Sequence, residues 1–141
     1  MKLRIATPQG LIVSEESIDK LTLPTVNGPI TVLQDHVPLI TLLDAGEVQI
    51  HIGDSVQELA VSKGIIEIKV VDDVTIINVM ADTAERAEDI DIEKAEEARK
   101  KAVEYMEKQE ELAEQDFTML QAKIEKELSR INVGKKYKNA R

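Results

Sequence analysis

Glycine and proline are distributed so unevenly along this chain that it reads as two different kinds of polymer. All four prolines (Pro8, Pro24, Pro29, Pro38) and five of the six glycines (Gly10, Gly28, Gly46, Gly53, Gly64) precede Ile65, and residues 65–133 contain neither. These residues set turn geometry or remove a backbone donor, so reversals of direction are concentrated in the first half. Between them lie short β-branched or alternating runs at 3–5, 18–23, 30–33, 48–52, 56–61, 65–71 and 74–80. Many short strands joined by turns predict an antiparallel β-sandwich over residues 1–84. Asn27-Gly28, Gly53-Asp54 and Asp72-Asp73 supply polar turns for it. Gly28 and Gly46 are expected where φ must be positive, and Pro38 is expected to stiffen an exposed loop.

From about residue 84 the chain becomes rich in Ala, Glu and Lys, residues of high helix propensity. Two helices are expected, at about 91–108 and 114–131. The first carries a stripe of Ile92, Ala95, Ala98, Ala102 and Tyr105 or Met106; the second carries Phe117, Leu120, Ile124, Leu128 and Ile131. Small residues facing large apolar ones favour an antiparallel hairpin, which makes the whole an α+β chain with a helical region at 85–141. The connection at 109–113 holds no Gly or Pro, so the same residues are also able to run on as one long helix. Asp89 or Asp91 is placed to cap the first helix and complement its dipole.

Charge is segregated within this half. Residues 85–116 hold thirteen acids and six bases, whereas 117–141 hold two acids and seven bases, on a chain of net charge −9. A basic last helix on an acidic protein suits either a solvated face or a surface that seeks an acidic partner.

Composition excludes several functions. The absence of Cys removes disulfides, thiolate nucleophiles and Cys-based zinc sites, and His36 and His51 alone do not complete a His-rich metal site. A 2% aromatic content with net charge −9 argues against nucleic acid. No phosphate-binding loop of the Gly-x-x-x-x-Gly-Lys type occurs, and no nucleophile accompanies the Asp35-His36 pair, so no catalytic residue is assigned. Without a run of about 18 apolar residues or a basic-then-apolar leader, membrane association is expected to be indirect.

Residues 28–46, GPITVLQDHVPLITLLDAG, resemble the signature of the epsilon subunit of F-type ATP synthases. The matching positions are Gly28, Ile30, Val32, Leu33, His36, Pro38, Leu39, Thr41, Leu42 and Gly46; Thr7-Pro8-Gln9-Gly10, Ala60-Val61-Ser62-Lys63-Gly64 and Glu88-Asp89-Ile90-Asp91 echo the family elsewhere. The resemblance implies a non-catalytic rotor subunit. Its sandwich would bind the gamma subunit and the c-ring through Gly28, Pro29, His36, Pro38, Leu39 and Thr41, on the cytoplasmic face of the bacterial plasma membrane. Its helices would extend to restrain ATP hydrolysis, with Lys123, Lys126 and Arg130 meeting the alpha and beta subunits. Ile90-Asp91-Ile92-Glu93-Lys94-Ala95 is also similar to the Ile-Asp-x-x-Arg-Ala motif of members that bind regulatory ATP, with Lys94 in place of Arg. Glu85, Ile90, Asp91, Lys94, Ala95, Lys101, Lys126 and Arg130 would then enclose the nucleotide. Pro29 departs from members that carry an acid there. Read without the family, the same layout also suits a protein-interaction adaptor.

Overall fold

A computed structural model describes residues 1–109 and 111–140, so Glu110 in the connection and Arg141 in the basic tail lie outside the described residues. The elements run β1 (Lys2–Thr7), β2 (Gly10–Glu15), β3 (Lys20–Thr25), β4 (Gly28–Val32), β5 (Leu39–Leu43), β6 (Gly46–Ile52), β7 (Ser55–Val61), β8 (Gly64–Val71), β9 (Val74–Ala81) and β10 (Ala84–Arg86). A single 3-10 turn at Ala87–Asp89 then leads into α1 (Ile92–Lys108) and α2 (Glu114–Asn139). The strands form one sheet in the order β10-β7-β6-β3-β5-β8-β9-β1-β2, with β4 added on β3. Folded on itself, this sheet encloses Leu3, Ile5, Leu21, Leu23, Leu43, Ile50, Leu59, Ile66, Ile68 and Ile77, which are buried almost completely. The β-sandwich followed by a helical hairpin is thus the architecture the patterning predicts.

Three strands lie outside the predicted set, and each has a local reason. β2 (GLIVSE) and β5 (LITLL) lack clean alternation, and β10 is only three residues long, held by pairing Glu85 with Ala60 on β7. The sheet therefore runs two residues beyond position 84. It is also not wholly antiparallel, because β1 pairs with β9 in parallel through Leu3↔Ile77 and Ile5↔Val79. The three predicted turns are present. Asp72 and Asp73 both adopt positive φ (49° and 61°), the backbone that a two-residue hairpin with right-handed twist requires. Gly28 has φ 106°, as expected, but Gly46 does not need positive φ. A Cβ at Gly46 would sit 2.9 Å from Pro24 Cβ, so close approach is its reason instead.

α2 continues eight residues past the expected end at 131, which brings Gly134 inside a helix. Burial on α2 is concentrated at Glu127, Ser129, Ile131, Val133 and Gly134, where it lies on α1 and on β6 and β7. On α1, Ala95 and Ala102 are buried as the stripe predicts. Phe117 and Tyr105 are half-exposed instead, because that far end of the hairpin has only its other helix to pack against, and Leu128 stays partly exposed where α2 runs beside Gly46 and Glu47.

Candidate functional site

The junction between sandwich and hairpin is organised by one aspartate. Asp91 is the N-cap of α1, and its Oδ1 accepts the Lys94 backbone N–H at 3.1 Å, satisfying a donor the first turn leaves free. Ile90 packs beside Ala60, Ala87 and Val133, and Ala95 is fully buried one turn into the helix. Ile90 and Ala95 therefore face protein, while Lys94 and Lys101 project outward, Lys101 reaching Glu97 at 3.0 Å.

On the other side of the seam, Arg130 of α2 meets Glu85 of β10. Its Nε donates to Oε2 at 2.6 Å and its Nη2 to Oε1 at 3.3 Å, while Nη1 donates to Glu127 at 2.8 Å. Glu127 is almost completely buried, so Arg130 is its compensating charge. The hydrogen bonding that Arg130 donates to Glu85 is the main reason its guanidinium is held above its ordinary pKa. Glu85, Lys126 and Arg130 line one cavity of about 300 Å³ together with Ala60, Val61, Thr83 and Ala84. The structure thus brings three of the expected nucleotide residues together; Asp91, Lys94 and Lys101 do not line that cavity. Lys123 is exposed on α2.

Further along α2 a second set of contacts fastens the helix to the sandwich. The Ser129 hydroxyl donates to the Gly46 carbonyl at 2.9 Å, and Lys136 Nζ lies 2.7 Å from Glu47 and 3.4 Å from Glu58, on adjacent strands. Chiefly through the Glu47 hydrogen bond, the Lys136 ammonium is also raised above its ordinary pKa. Lys63 reaches Glu125 at 3.3 Å, and Lys135 reaches Glu96 of α1 at 2.7 Å. Sequence reading missed Glu47, Glu58 and Ser129, since partners 89 and 83 positions apart carry no local signal. Much of the charge on the last helix is therefore satisfied by acids of the same chain.

The outer face of the sheet carries the remaining feature. Leu42 pairs with Ile65, Ile65 with Met80, Met80 with Ala6 and Ala6 with Leu11, so the apolar side chains form a row across β5, β8, β9, β1 and β2. Leu42, Ile65, Met80 and Leu11 are each more than 40% exposed, and Ile40, two residues from Leu42, is 73% exposed. Aligned exposed apolar residues on a strand face are a protein-binding signature rather than core. Beside the row, Asn78 donates to Glu67 at 3.0 Å; with Lys69 nearby this holds the Glu67 carboxyl below its ordinary range. The structure places Gly28 and Pro29 at one end of β4, His36 and Pro38 in the loop beyond its other end, and Leu39 and Thr41 on β5. In that loop the Asp35 N–H donates to the Thr75 hydroxyl at 2.9 Å, Gln34 donates to the Asp73 carbonyl at 3.0 Å, and His36 Nδ1 contacts the Val37 carbonyl at 2.7 Å. Among the described residues no group of acids and histidines is arranged to hold a metal ion, and no helix is long and apolar enough to cross a membrane.

Comparison with known proteins places these features in context. The profile of the family described as ATP synthase, Delta/Epsilon chain, beta-sandwich domain matches residues 1–87. The ATP synthase epsilon chain of Levilactobacillus brevis is 33% identical over 137 residues, covering 96% of this chain and 94% of its own length. That of Chloroflexus aggregans is 36% identical over 136 residues, covering 96% and 93%. In fold, the chain is similar to a chain in the structure of the Euglena gracilis mitochondrial ATP synthase, OSCP/F1/c-ring, with a TM-score of 0.69 and 22% identity, covering 87% of this chain and 74% of that one. It is also similar to one in the Tetrahymena thermophila mitochondrial ATP synthase central stalk and c-ring, with a TM-score of 0.65 and 12% identity, covering 95% and 96%.

Proposed function

Since the chain belongs to the delta/epsilon family of ATP synthase chains, we propose that it is a non-catalytic rotor subunit of the central stalk. In this reading it couples ion-driven rotation to ATP synthesis as a peripheral component on the cytoplasmic face of the membrane. The observation that carries the reading is the exposed row of Leu42, Ile65 and Met80 on the outer face of the sandwich. An aqueous protein gains by covering such a row, at roughly 25 cal/mol per Å² of apolar area buried. The gamma subunit is the partner assigned to it. Gly28, Pro29, His36, Pro38, Leu39 and Thr41 are assigned to contacts with gamma and the c-ring. Substituting Leu42→Glu or Ile65→Glu leaves the interior unchanged, so each variant is expected to fold normally and to lose gamma in a pull-down from membrane extract. Retention of gamma by both variants overturns the assignment of this face.

The hairpin acts as the regulatory element. In its extended form Lys123, Lys126 and Arg130 engage acidic surfaces of the alpha and beta subunits and restrain ATP hydrolysis; folded on the sandwich, it permits rotation. The cavity lined by Glu85, Lys126 and Arg130 supports weak regulatory ATP binding near the junction; Ile90, Asp91, Lys94, Ala95 and Lys101 lie outside it and are assigned to the site by the motif resemblance alone. Lys94 supplies a point charge where Arg would fork onto phosphate, so Lys94→Arg is expected to tighten binding. Titration calorimetry with millimolar ATP tests the site, and absence of heat in the unmodified chain removes it.

A further inference from the structure

We infer that the last turns of α2 form a latch that closes the hairpin on the sandwich without nucleotide, with Gly134 as its close-contact point and Lys136 as its ionic clasp. Glycine is among the least favourable residues for a helix interior, and Gly134 lies within α2 rather than at its end. Its surroundings explain its presence. A Cβ built there would come 2.9 Å from Ile92 Cγ1 and 3.2 Å from Ile90 Cγ2, residues that frame the junction where the chain leaves the sandwich for α1. The missing side chain lets α2 touch this junction directly. When α2 leaves the junction, Gly134 keeps its poor helix propensity and gains nothing, so the residue biases the hairpin towards closure. Lys136 adds to the bias by spanning Glu47 on β6 and Glu58 on β7, and Ser129 bonds the Gly46 carbonyl one turn earlier than Gly134. None of these three residues belongs to the positions assigned to ATP, so nucleotide would reinforce a closed state that already exists. The consequence for hydrolysis rests on the brake reading above; the latch itself does not.

The chain lacks Cys, so Asp54→Cys and Asn139→Cys, both on exposed positions, provide a unique pair for spin labels in the full-length protein. Without nucleotide, the unmodified background is expected to give one narrow distance distribution. Gly134→Val should lower the ratio of closed to open hairpin by roughly tenfold or more, and Gly134→Ala by less. Lys136→Gln should broaden the distribution too, while Lys138→Gln at an exposed position leaves it unchanged. A background that narrows only when ATP is added, or a Gly134→Val chain that stays as narrow as the background, overturns the latch. ATP hydrolysis by the reconstituted synthase separates the two readings. If Gly134→Val opens the isolated chain but hydrolysis does not change, the brake reading fails and the latch stands.

Discussion

Two glycines show how differently the same residue is used within this sandwich. At Gly64 a Cβ would lie 2.0 Å from the Met80 carbonyl oxygen and 2.8 Å from the Ala81 Cα, both backbone atoms paired across β8 and β9. Backbone in a ladder has no rotamer with which to yield, so Gly64→Ala is expected to destabilise the fold by about 3 kcal/mol, read from a denaturant midpoint. Gly28, by contrast, has nothing within reach of a Cβ and is required only by its φ of 106°. Gly28→Ala should therefore cost less, about 1 kcal/mol. Arg130 presents the same kind of distinction among charges. Removing it leaves Glu127 buried beside no cation, so Arg130→Met is expected to cost about 1–3 kcal/mol, the lower end reflecting partial solvent access. The double variant with Glu127→Gln should recover part of that loss in the same denaturation experiment.

Among the elements, α2 depends most on what it lies against. Its attachment to the sandwich combines a small apolar cluster of Ala60, Ala87 and Val133 with ion pairs at Arg130 and Lys136. The pH response follows from the sign of the Lys136 shift. Its folded pKa is raised above the ordinary 10.5, mainly by Glu47, so its contribution is complete below the ordinary value and disappears as pH rises through the raised one. The seam should thus be insensitive to this group around neutrality and loosen in strong alkali, and the label-distance measurement checks this at about pH 8 and about pH 11. In Lys136→Gln the alkaline change should shrink. The strands behave differently, since β10 and the 3-10 turn after it belong to the sheet side of the seam. A fragment ending at Asp89 retains both, and it is expected to fold and bind gamma with the hairpin removed.

At the level of the whole molecule, net charge and domain arrangement act together. The chain is strongly acidic, yet its last helix is basic and lies on acids at positions 47, 58, 85 and 96. On the proposed regulatory reading, an open hairpin would uncover bases and acids at once, and a partner would have to match both. Deleting the chain after residue 113 removes α2, and this is expected to raise ATP hydrolysis by the reconstituted complex while leaving gamma binding intact. Unchanged hydrolysis in that variant at both low and high ATP removes the regulatory role of the helices.

The division into strands and helices was already decided by local chemistry. Proline and glycine permit or forbid particular φ values whatever the surroundings, and turns such as Gly53-Asp54, with Gly53 at φ 56°, follow from this alone. The Asp91 cap was legible for the same reason, because a capping side chain reaches only its own first turn. The family signature at residues 28–46 was equally legible, because it is carried by residue identities in order. Other features depended on contacts distant in sequence. Gly46 has the sequence setting of a turn glycine, but the close approach of Pro24 is what requires it, and the extension of α2 through Gly134 depends on Ile90 and Ile92 leaving room for it. β10 exists because β7 offers it an edge. The partners of Lys136, the parallel pairing of β1 with β9 and the apolar row from Leu42 to Met80 arise only when strands far apart in the chain lie side by side. Which charge meets which, and which apolar residues remain uncovered, was decided by the tertiary structure.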